Sequence, residues 1–245
     1  MIQIVRWTAT VLLLATLFAA PLTGNVRAQD DARAQLDTTA AAMLALNSFH
    51  FDLETTAGKT SFQDLFELKS VTGDVVRPNS FQAQVNVQLA MIALTLEVVG
   101  IGGDIWVKNP LGGSDAFVQM TGGDTNIQLP PTILLNPDQL VSQALTYLDS
   151  PRLAGTEKLD GQEMTVVTGS FDPARLTGGV STAEMGDFEA AKESLDVKAW
   201  IDDQDRLVRI DFIGPLFAFE EGTGRLVRSI TFSNFDTDIT IEKPA

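Results

Sequence analysis

Apolar and polar residues alternate along most of the chain with the period of two that is typical of β-strands on an apolar core. The strictest case is residues 81–89, in which every odd position is apolar and every even position is an uncharged amide. A one-residue slip of such a strand would turn its apolar side chains into water, so its register is strongly determined. The pattern predicts a sheet with one apolar face and one solvated face.

Residues 195–212 predict a β-hairpin with its turn at residues 202–205. The register that follows from this turn pairs Ala199 with Val208, Val197 with Ile210, and Leu195 with Phe212. One face of the hairpin is then continuously apolar. Trp200 and Leu207 lie on the opposite face, which is mostly charged.

The same alternation predicts further strands, and helical spacing of apolar residues predicts helices. The strands are residues 48–54, 62–69, 92–98, 104–108, 116–120, 153–159, 164–170 and 226–232, with a short strand in the tail at 233–242. The helices are residues 30–47, residues 137–148 after a long loop at 121–131, and a short helix opening at Ser181. Residues 72–74 contain a glycine and indicate a break between strands. About ten strands and two or three helices indicate an α+β fold with antiparallel strands.

The first residues have the features of a secretory signal peptide. Arg6 precedes an apolar run at residues 11–20, and small residues near Ala28 suit a cleavage site. We predict a signal peptide at residues 1–28 and a single domain at residues 29–245, within the size range of undivided β-rich domains. The protein is therefore predicted to be exported.

Charge and cysteine content narrow the classes of function. The formal net charge is −15, and removal of a leader that carries two arginines makes the protein more acidic. This charge argues against nucleic acid as a partner and against electrostatic docking on anionic lipid headgroups. The chain has no cysteine, so it has no disulfide, no thiolate nucleophile and no cysteine-ligated metal.

Candidate catalytic and metal-binding residues are few. His50, the single histidine, lies on the polar side of a strand beside Asp52 and Glu54, which is the ordinary position of a surface histidine. The acidic turn at residues 202–205 has calcium-type ligands, but it lacks the glycine and the later glutamate of an EF-hand loop, so we interpret it as a solvated hairpin tip. We expect no catalytic residue, no metal site and no cofactor. A hydrolase that uses paired surface carboxylates ranks last among the alternatives.

The quantity of apolar surface on one side of the sheet is the main functional clue. Two or three helices are few to cover it, so either the sheet closes around an ordinary core or it stays partly open and encloses an apolar cavity. The candidate cavity residues are Phe49, Phe51, Leu53, Phe66, Phe81, Val85, Val87, Leu94, Leu96, Val197, Ile201, Ile210, Phe212, Ile230 and Phe232.

Several segments of the predicted domain share their order and spacing with a known family. The segments are residues 73–78 with Phe81, 102–107 with Pro110, 155–161, 197–202 with 206–210, 233–236 and 239–244. In this order and spacing they resemble the LppX/LprAFG lipoproteins, a family that is similar to the periplasmic lipoprotein carrier LolA, although no single motif is specific. One position departs from the family pattern, because Asn25 stands where a lipid-bearing cysteine is required.

The resemblance implies a LolA-like half-barrel, a curved antiparallel sheet of about 10–11 strands with helices over its concave face. It implies a carrier that binds a lipid or an acylated glycolipid, contacts membranes transiently, and works with an envelope transporter. Without the cysteine, we expect an exported protein that is secreted or lies at the extracytoplasmic face of the envelope, not lipid-anchored. The alternative is a protein that an uncleaved leader tethers to the membrane. Residues 121–148 are the expected gate to the cavity. The alternative is a non-enzymatic envelope module with a filled core that binds a protein partner.

Overall fold

One antiparallel sheet of twelve strands forms the body of the protein in the computed structural model, which describes residues 23–62, 66–108, 115–120, 132–176 and 189–244, with side chains from Ala28 onward. The strands are β1 (Ser48–Ala57), β2 (Thr60–Phe62), β3 (Phe66–Val76), β4 (Ser80–Leu89), β5 (Ile92–Ile101), β6 (Asp104–Lys108), β7 (Val118–Gln119), β8 (Asp149–Leu159), β9 (Gln162–Phe171), β10 (Leu195–Ile201), β11 (Leu207–Ile213) and β12 (Val227–Ser233). The helices are α1 (Thr23–Ala45), α2 (Thr132–Leu135) and α3 (Asp138–Tyr147).

The strand order is β7-β6-β5-β4-β3-β1-β12-β11-β10-β9-β8, with β2 beside β3. The first half of the chain builds one arm of the sheet and the second half builds the other, and the arms join where β1 pairs with β12. The end strands β7 and β8 do not pair with each other, so the sheet is open. The predicted α+β class and half-barrel of antiparallel strands are confirmed, with twelve strands instead of the predicted 10–11.

The two faces of the sheet differ as the alternation predicts. The inner face carries Phe51, Val85 and Ile210, all fully buried, and the outer face carries His50 and Gln84. All three helices pack on the inner face, where their apolar residues join those of the sheet in one cluster. The core therefore lies between the helices and the inner face.

The register predicted for the β10–β11 hairpin is wrong by two residues. Val197 lies opposite Phe212 and Ala199 opposite Ile210, which preserves the face because a shift of two is one full period of the strand. The turn accounts for one residue of the shift. It is closed by the hydrogen bond from Asp202 N to Arg206 O, so Ile201 pairs with Leu207 and the turn is one residue longer than predicted.

The other residue of the shift comes from a bulge in β11. Ile201 pairs with Leu207 but Trp200 pairs with Arg209, so Val208 has no partner across the strand. The extra residue of a bulge shifts the alternation of the strand by one position, so side chains on one side of the bulge point to the face opposite to the one that regular alternation predicts. Leu207 is therefore buried in the main core, while Val208 packs beside Trp200 on the outer face, opposite to the prediction.

Asp202 was predicted to lie in a solvated tip, and this is wrong. Its carboxylate accepts hydrogen bonds from Gln204 N and Arg206 N and pairs with Arg206 Nη2 at 2.7 Å, and it is almost fully buried. The oxygens that would bind a cation instead close the turn.

Other predictions differ at element boundaries. Strand β3 runs without a break through Gly73, whose missing side chain leaves room for the carbonyl of Gln82 on the next strand. The tail at residues 234–244 forms no strand. It is attached through Asp236, which accepts from Asn47 N at 2.6 Å. Helix α1 starts inside the segment predicted as a leader. The predicted loop at 121–131 and the short helix from Ser181 lie outside the described residues.

Candidate functional site

The inner face brings together all fifteen predicted cavity residues. They belong to one apolar cluster, in which thirteen are buried and Phe66 and Leu94 are half-buried. The face is continuous across the sheet because the register aligns inward residues of successive strands in rows. One row runs Leu96, Val85, Val71, Leu53, Ile230, Ile210, Ala199 and Val167, all of them buried.

One end of the face is closely packed around the ring of Phe81. A Cβ atom at Gly100 of β5 would lie 2.1 Å from this ring. Only glycine therefore leaves room for the Phe81 ring on the neighbouring strand. The ring of Phe49 packs edge-on against Phe232 at 5.7 Å between centroids, at the seam of the two arms. These aromatic contacts support the sheet beneath α1 and α3.

Two arginines hold the helices over the inner face. Arg33 of α1 donates hydrogen bonds to the carbonyls of Leu145 and Thr146 at 3.1 Å each, and also to that of Leu148. These carbonyls end α3, where helical carbonyls lack partners within the helix. Arg33 therefore joins the two covering helices.

Arg77, at the end of β3, is the second of these arginines. It donates to the carbonyls of Met43 and Leu46 at the end of α1, and it pairs with Asp138 in the first turn of α3 at 2.5 Å. Its guanidinium lies 5.5 Å from the centroid of the Phe49 ring. One side chain thus ties both helices to the sheet.

The space between these helices and the sheet is small. A crevice of about 30 Å³ separates α1 and α3 from Phe49 and Phe232. This volume is close to that of one water molecule. The helices and the inner face are therefore packed against each other in this arrangement.

Larger grooves are open and partly polar. One of about 510 Å³ lies between Gly100, near the end of β5, and the start of α3. Another of about 360 Å³ lies on the outer face beside His50, Asp74 and Gln82. The first groove is lined by Phe81, Ile101 and Ile105 together with polar residues, and the second also mixes polar and apolar residues. Neither groove is therefore an enclosed apolar cavity of the kind that buries an acyl chain.

His50 is held on the outer face by its neighbours. Its Nδ1 lies 2.7 Å from Asp74 Oδ1, and its Nε2 lies 3.3 Å from Thr72 Oγ1 and 3.5 Å from Asp52 Oδ2. Both ring nitrogens are therefore engaged within the protein. Across the residues that the structure describes, no three His, Asp or Glu side chains gather as metal ligands.

A buried ion pair is the feature that sequence reasoning missed. Arg228 of β12 points to the inner face, where it is fully buried and pairs with Glu220. Glu220 also accepts from the backbone N–H groups of Leu216 and Phe217, and Arg228 Nη2 donates to Thr60 Oγ1 at 2.8 Å. The sequence does contain a signal for this burial. Arg228 lies two residues before inward-facing Ile230 in the same strand, and alternation therefore turns it to the inner face.

Burial lowers the pKa of the Arg228 guanidinium, and the Glu220 carboxylate opposes that shift. Two nitrogens of the group, Nε and Nη1, have no hydrogen-bond partner in the described part of the chain. Such a group is stabilising only while its counter-ion is in place. The pair therefore fixes the chain at residues 216–220 across the β12 end of the inner face.

A polar cluster on the outer face surrounds Trp200. Glu157 accepts hydrogen bonds from Lys198 Nζ at 2.8 Å and Trp200 Nε1 at 2.9 Å, which lower the pKa of its carboxyl. The ammonium of Lys198 and the guanidinium of Arg209 lie 4.6 and 4.8 Å from the centroid of the Trp200 ring. These contacts explain how a tryptophan is buried on the solvated face.

An open antiparallel half-barrel with an apolar inner face under three helices is the class of protein that these features define. The chain belongs to the LppX_LprAFG lipoprotein family, whose model matches residues 31–241. No curated protein matches it in sequence. Among the described residues, no helix is long and apolar enough to cross a membrane.

Two solved structures share the fold. LprF from Mycobacterium bovis aligns with a TM-score of 0.59 at 21% identity, covering 88% of this chain and 98% of that one. The lipoprotein LppX of Mycobacterium tuberculosis aligns with a TM-score of 0.56 at 18% identity, covering 87% and 99%. A LolA superfamily protein from Nitrosomonas europaea aligns with a TM-score of 0.33 at 13% identity, covering 85% and 94%.

Proposed function

We propose that this protein is an exported, non-enzymatic carrier that holds the acyl chains of a lipid or glycolipid against its inner face. The observation that carries the proposal is the inner face itself, a continuous apolar surface across both arms of an open sheet, covered by three helices. Membership of a lipoprotein family agrees with it. Transfer between envelope membranes, through transient contact and with a transporter as donor or acceptor, is the role that suits such a carrier.

Energetics favour acyl chains as the cargo. Each methylene that leaves water for this face contributes about 0.8 kcal/mol. A crevice of about 30 Å³ cannot hold a chain, so binding requires that the covering helices move away from the sheet. The gate proposed at residues 121–148 includes α2 and α3, which can move without disrupting strand pairing.

A second candidate function follows from the same crevice. The packed interior favours an envelope module whose core is filled by its own side chains and whose surface binds a protein partner. The two candidates differ in one measurable property, which is whether purified protein contains lipid.

Mass spectrometry of lipid extracted from purified protein tests the carrier. We expect bound lipid in stoichiometric amounts, and less of it after Leu94→Trp, which enlarges a half-buried side chain on the inner face of β5. The matched control is Thr95→Trp, one residue along the same strand on the exposed outer face, which should keep its lipid. Protein that is consistently empty and fails to bind lipid probes would contradict the proposal and favour the filled module.

A further inference from the structure

The inner face is not covered equally along its strands. In β4 the inward residues change from buried Val85 and Val87 to half-buried Leu89. In β5 they change from buried Leu96 to half-buried Leu94 and then to Ile92, which is 55% exposed. The apolar face therefore continues to the end of these strands, beyond the residues that are covered.

The hairpin that joins β4 and β5 projects apolar side chains from this end. Leu89 pairs with Ile92, so the turn consists of Ala90 and Met91, and Met91 is 94% exposed. Two-residue hairpin turns favour asparagine and glycine because of their positive φ, and Ala90 adopts φ 51° instead. Residues 88–95 contain no charged side chain. The requirements of the turn do not account for these apolar residues.

Further exposed apolar residues lie at the same end of the sheet. Glu67 pairs with Gln88, which places half-buried Phe66 beside Leu89. The Phe66 ring stacks on Phe62 at 5.2 Å, and Phe62 in turn lies 5.4 Å from Phe219, which is 38% exposed. We call this surface the apolar rim, and it consists of Phe66, Leu89, Met91, Ile92 and Phe219.

Two lysines stand beside the rim. Lys59 and Lys69 share the carboxylate of Glu67 at 3.7 and 2.7 Å, and both ammonium groups are exposed. Lysine stems lie along apolar surface while their ammonium groups reach phosphate level at a membrane. An uncharged rim with two lysines and one glutamate beside it, a net positive charge, complements a bilayer, in which acyl chains lie below phosphate groups.

The size of the rim distinguishes a membrane from a protein partner. A specific protein interface needs about 800 Å² from each partner, and five side chains on a hairpin tip and its neighbours supply less. Insertion into a bilayer has no such minimum, since each side chain contributes separately. The acidic chain is also not attracted to anionic headgroups by its overall charge.

We propose that the apolar rim inserts into the surface of a lipid bilayer and places the exposed β4–β5 end of the inner face against the membrane. The proposal rests on the proposed function for its purpose, because a docked rim would let an acyl chain pass between bilayer and inner face without crossing water. The site of insertion itself depends on the rim alone.

Position-specific quenching tests the insertion. Met91→Trp in the full chain is mixed with phosphatidylcholine vesicles that carry brominated acyl chains, which quench tryptophan only at acyl depth. The matched control is Leu153→Trp, since Leu153 is an exposed apolar residue on β8, at the other end of the sheet order. The apolar run at residues 11–20 is common to both variants, and the unsubstituted protein supplies the background of Trp7, Trp106 and Trp200.

We expect quenching at position 91 beyond the background and none at position 153. Equal quenching at the two positions, or none at either, would overturn the proposal. Quenching that needs anionic phosphatidylglycerol would also overturn it, because attraction by charge would then drive the contact. The proposal would also be overturned if the unsubstituted protein formed oligomers and Met91→Asp made them dissociate. The rim would then be a contact between two copies of this chain.

A second measurement separates the rim from the cargo site. The double variant Met91→Asp with Ile92→Asp should still contain bound lipid, but should deliver it to phosphatidylcholine vesicles about tenfold or more slowly. Leu153→Asp should deliver lipid at the normal rate. If the protein contains no lipid but Met91→Trp is quenched, the carrier is contradicted and the insertion of the rim is supported. If the double variant contains lipid and delivers it at the normal rate, the role of the rim is contradicted.

Discussion

Arg228 shows how one charged residue is accommodated in an apolar face. Its desolvation is offset by Glu220, and the carboxylate is itself fixed by two backbone N–H groups of the chain that crosses this end of the sheet. The pair connects β12 to Thr60 of β2 and to the 3-10 turn at Ala218–Glu220. Removing one partner leaves a buried charge, which costs more than removing both.

Arg228→Met is expected to lower the free energy of unfolding by about 3–5 kcal/mol, because Glu220 stays buried without its counter-ion. The double variant Arg228→Met with Glu220→Gln should lose less than the sum of the two single variants. Urea unfolding of the four proteins measures this coupling. Additive losses would contradict the view that the two charges depend on each other.

At the scale of elements, the bulge in β11 decides which side chains reach the core. Leu207 and Val208 are adjacent aliphatic residues, and the alternation predicts that Val208 faces the core. The structure reverses them because the turn is closed by Asp202 and the bulge adds one residue to β11. The other predicted strands are correct in type and close in position, except for the strand predicted in the tail at 233–242, which does not form.

This reversal predicts different costs for two alanine substitutions. Leu207→Ala should lower the free energy of unfolding by about 2–5 kcal/mol, since it opens a cavity in the main core. Val208→Ala, on the half-exposed outer face, should cost less than about 1 kcal/mol. Chemical denaturation of both variants gives the comparison, and a larger loss for Val208→Ala would support the register expected from alternation alone.

At the scale of the whole molecule, the covering helices are held by few polar ties. Arg77 joins the end of α1 to the first turn of α3, and Arg33 joins α1 to the end of α3. A carrier needs a cover that opens without loss of strand pairing, and helices tied by side chains meet that requirement better than strands paired by backbone. The helices α2 and α3 are therefore the expected moving part.

Asp138→Asn should loosen α3 by removing the charge that pairs with Arg77. Hydrogen exchange in residues 138–147 is expected to rise about fivefold, the effect of roughly 1 kcal/mol, while exchange in β1 stays unchanged. Asp149→Asn is the control, because its partner Arg175 forms an exposed pair at the surface. Exchange in α3 that is as slow as in the strands, with or without the substitution, would count against the gate.

The sequence alone determined the fold class, the assignment of most strands, and the inward direction of all fifteen candidate cavity residues. The reason is local: a pleated strand turns alternate side chains to opposite faces, so the pattern of each strand states which side is apolar. The family likeness rests on the same kind of information, the order and spacing of segments along the chain.

Only the tertiary structure decided how these elements meet. The pairing of β1 with β12, the bulge beside Trp200 and the burial of Arg228 against Glu220 depend on residues that are distant in sequence or on the closure of one turn. The packing of α1 and α3 onto the inner face, with about 30 Å³ between them, is likewise a property of the assembled molecule. Periodicity specifies which surface is apolar, and contacts between distant elements specify what covers it and where it stays exposed.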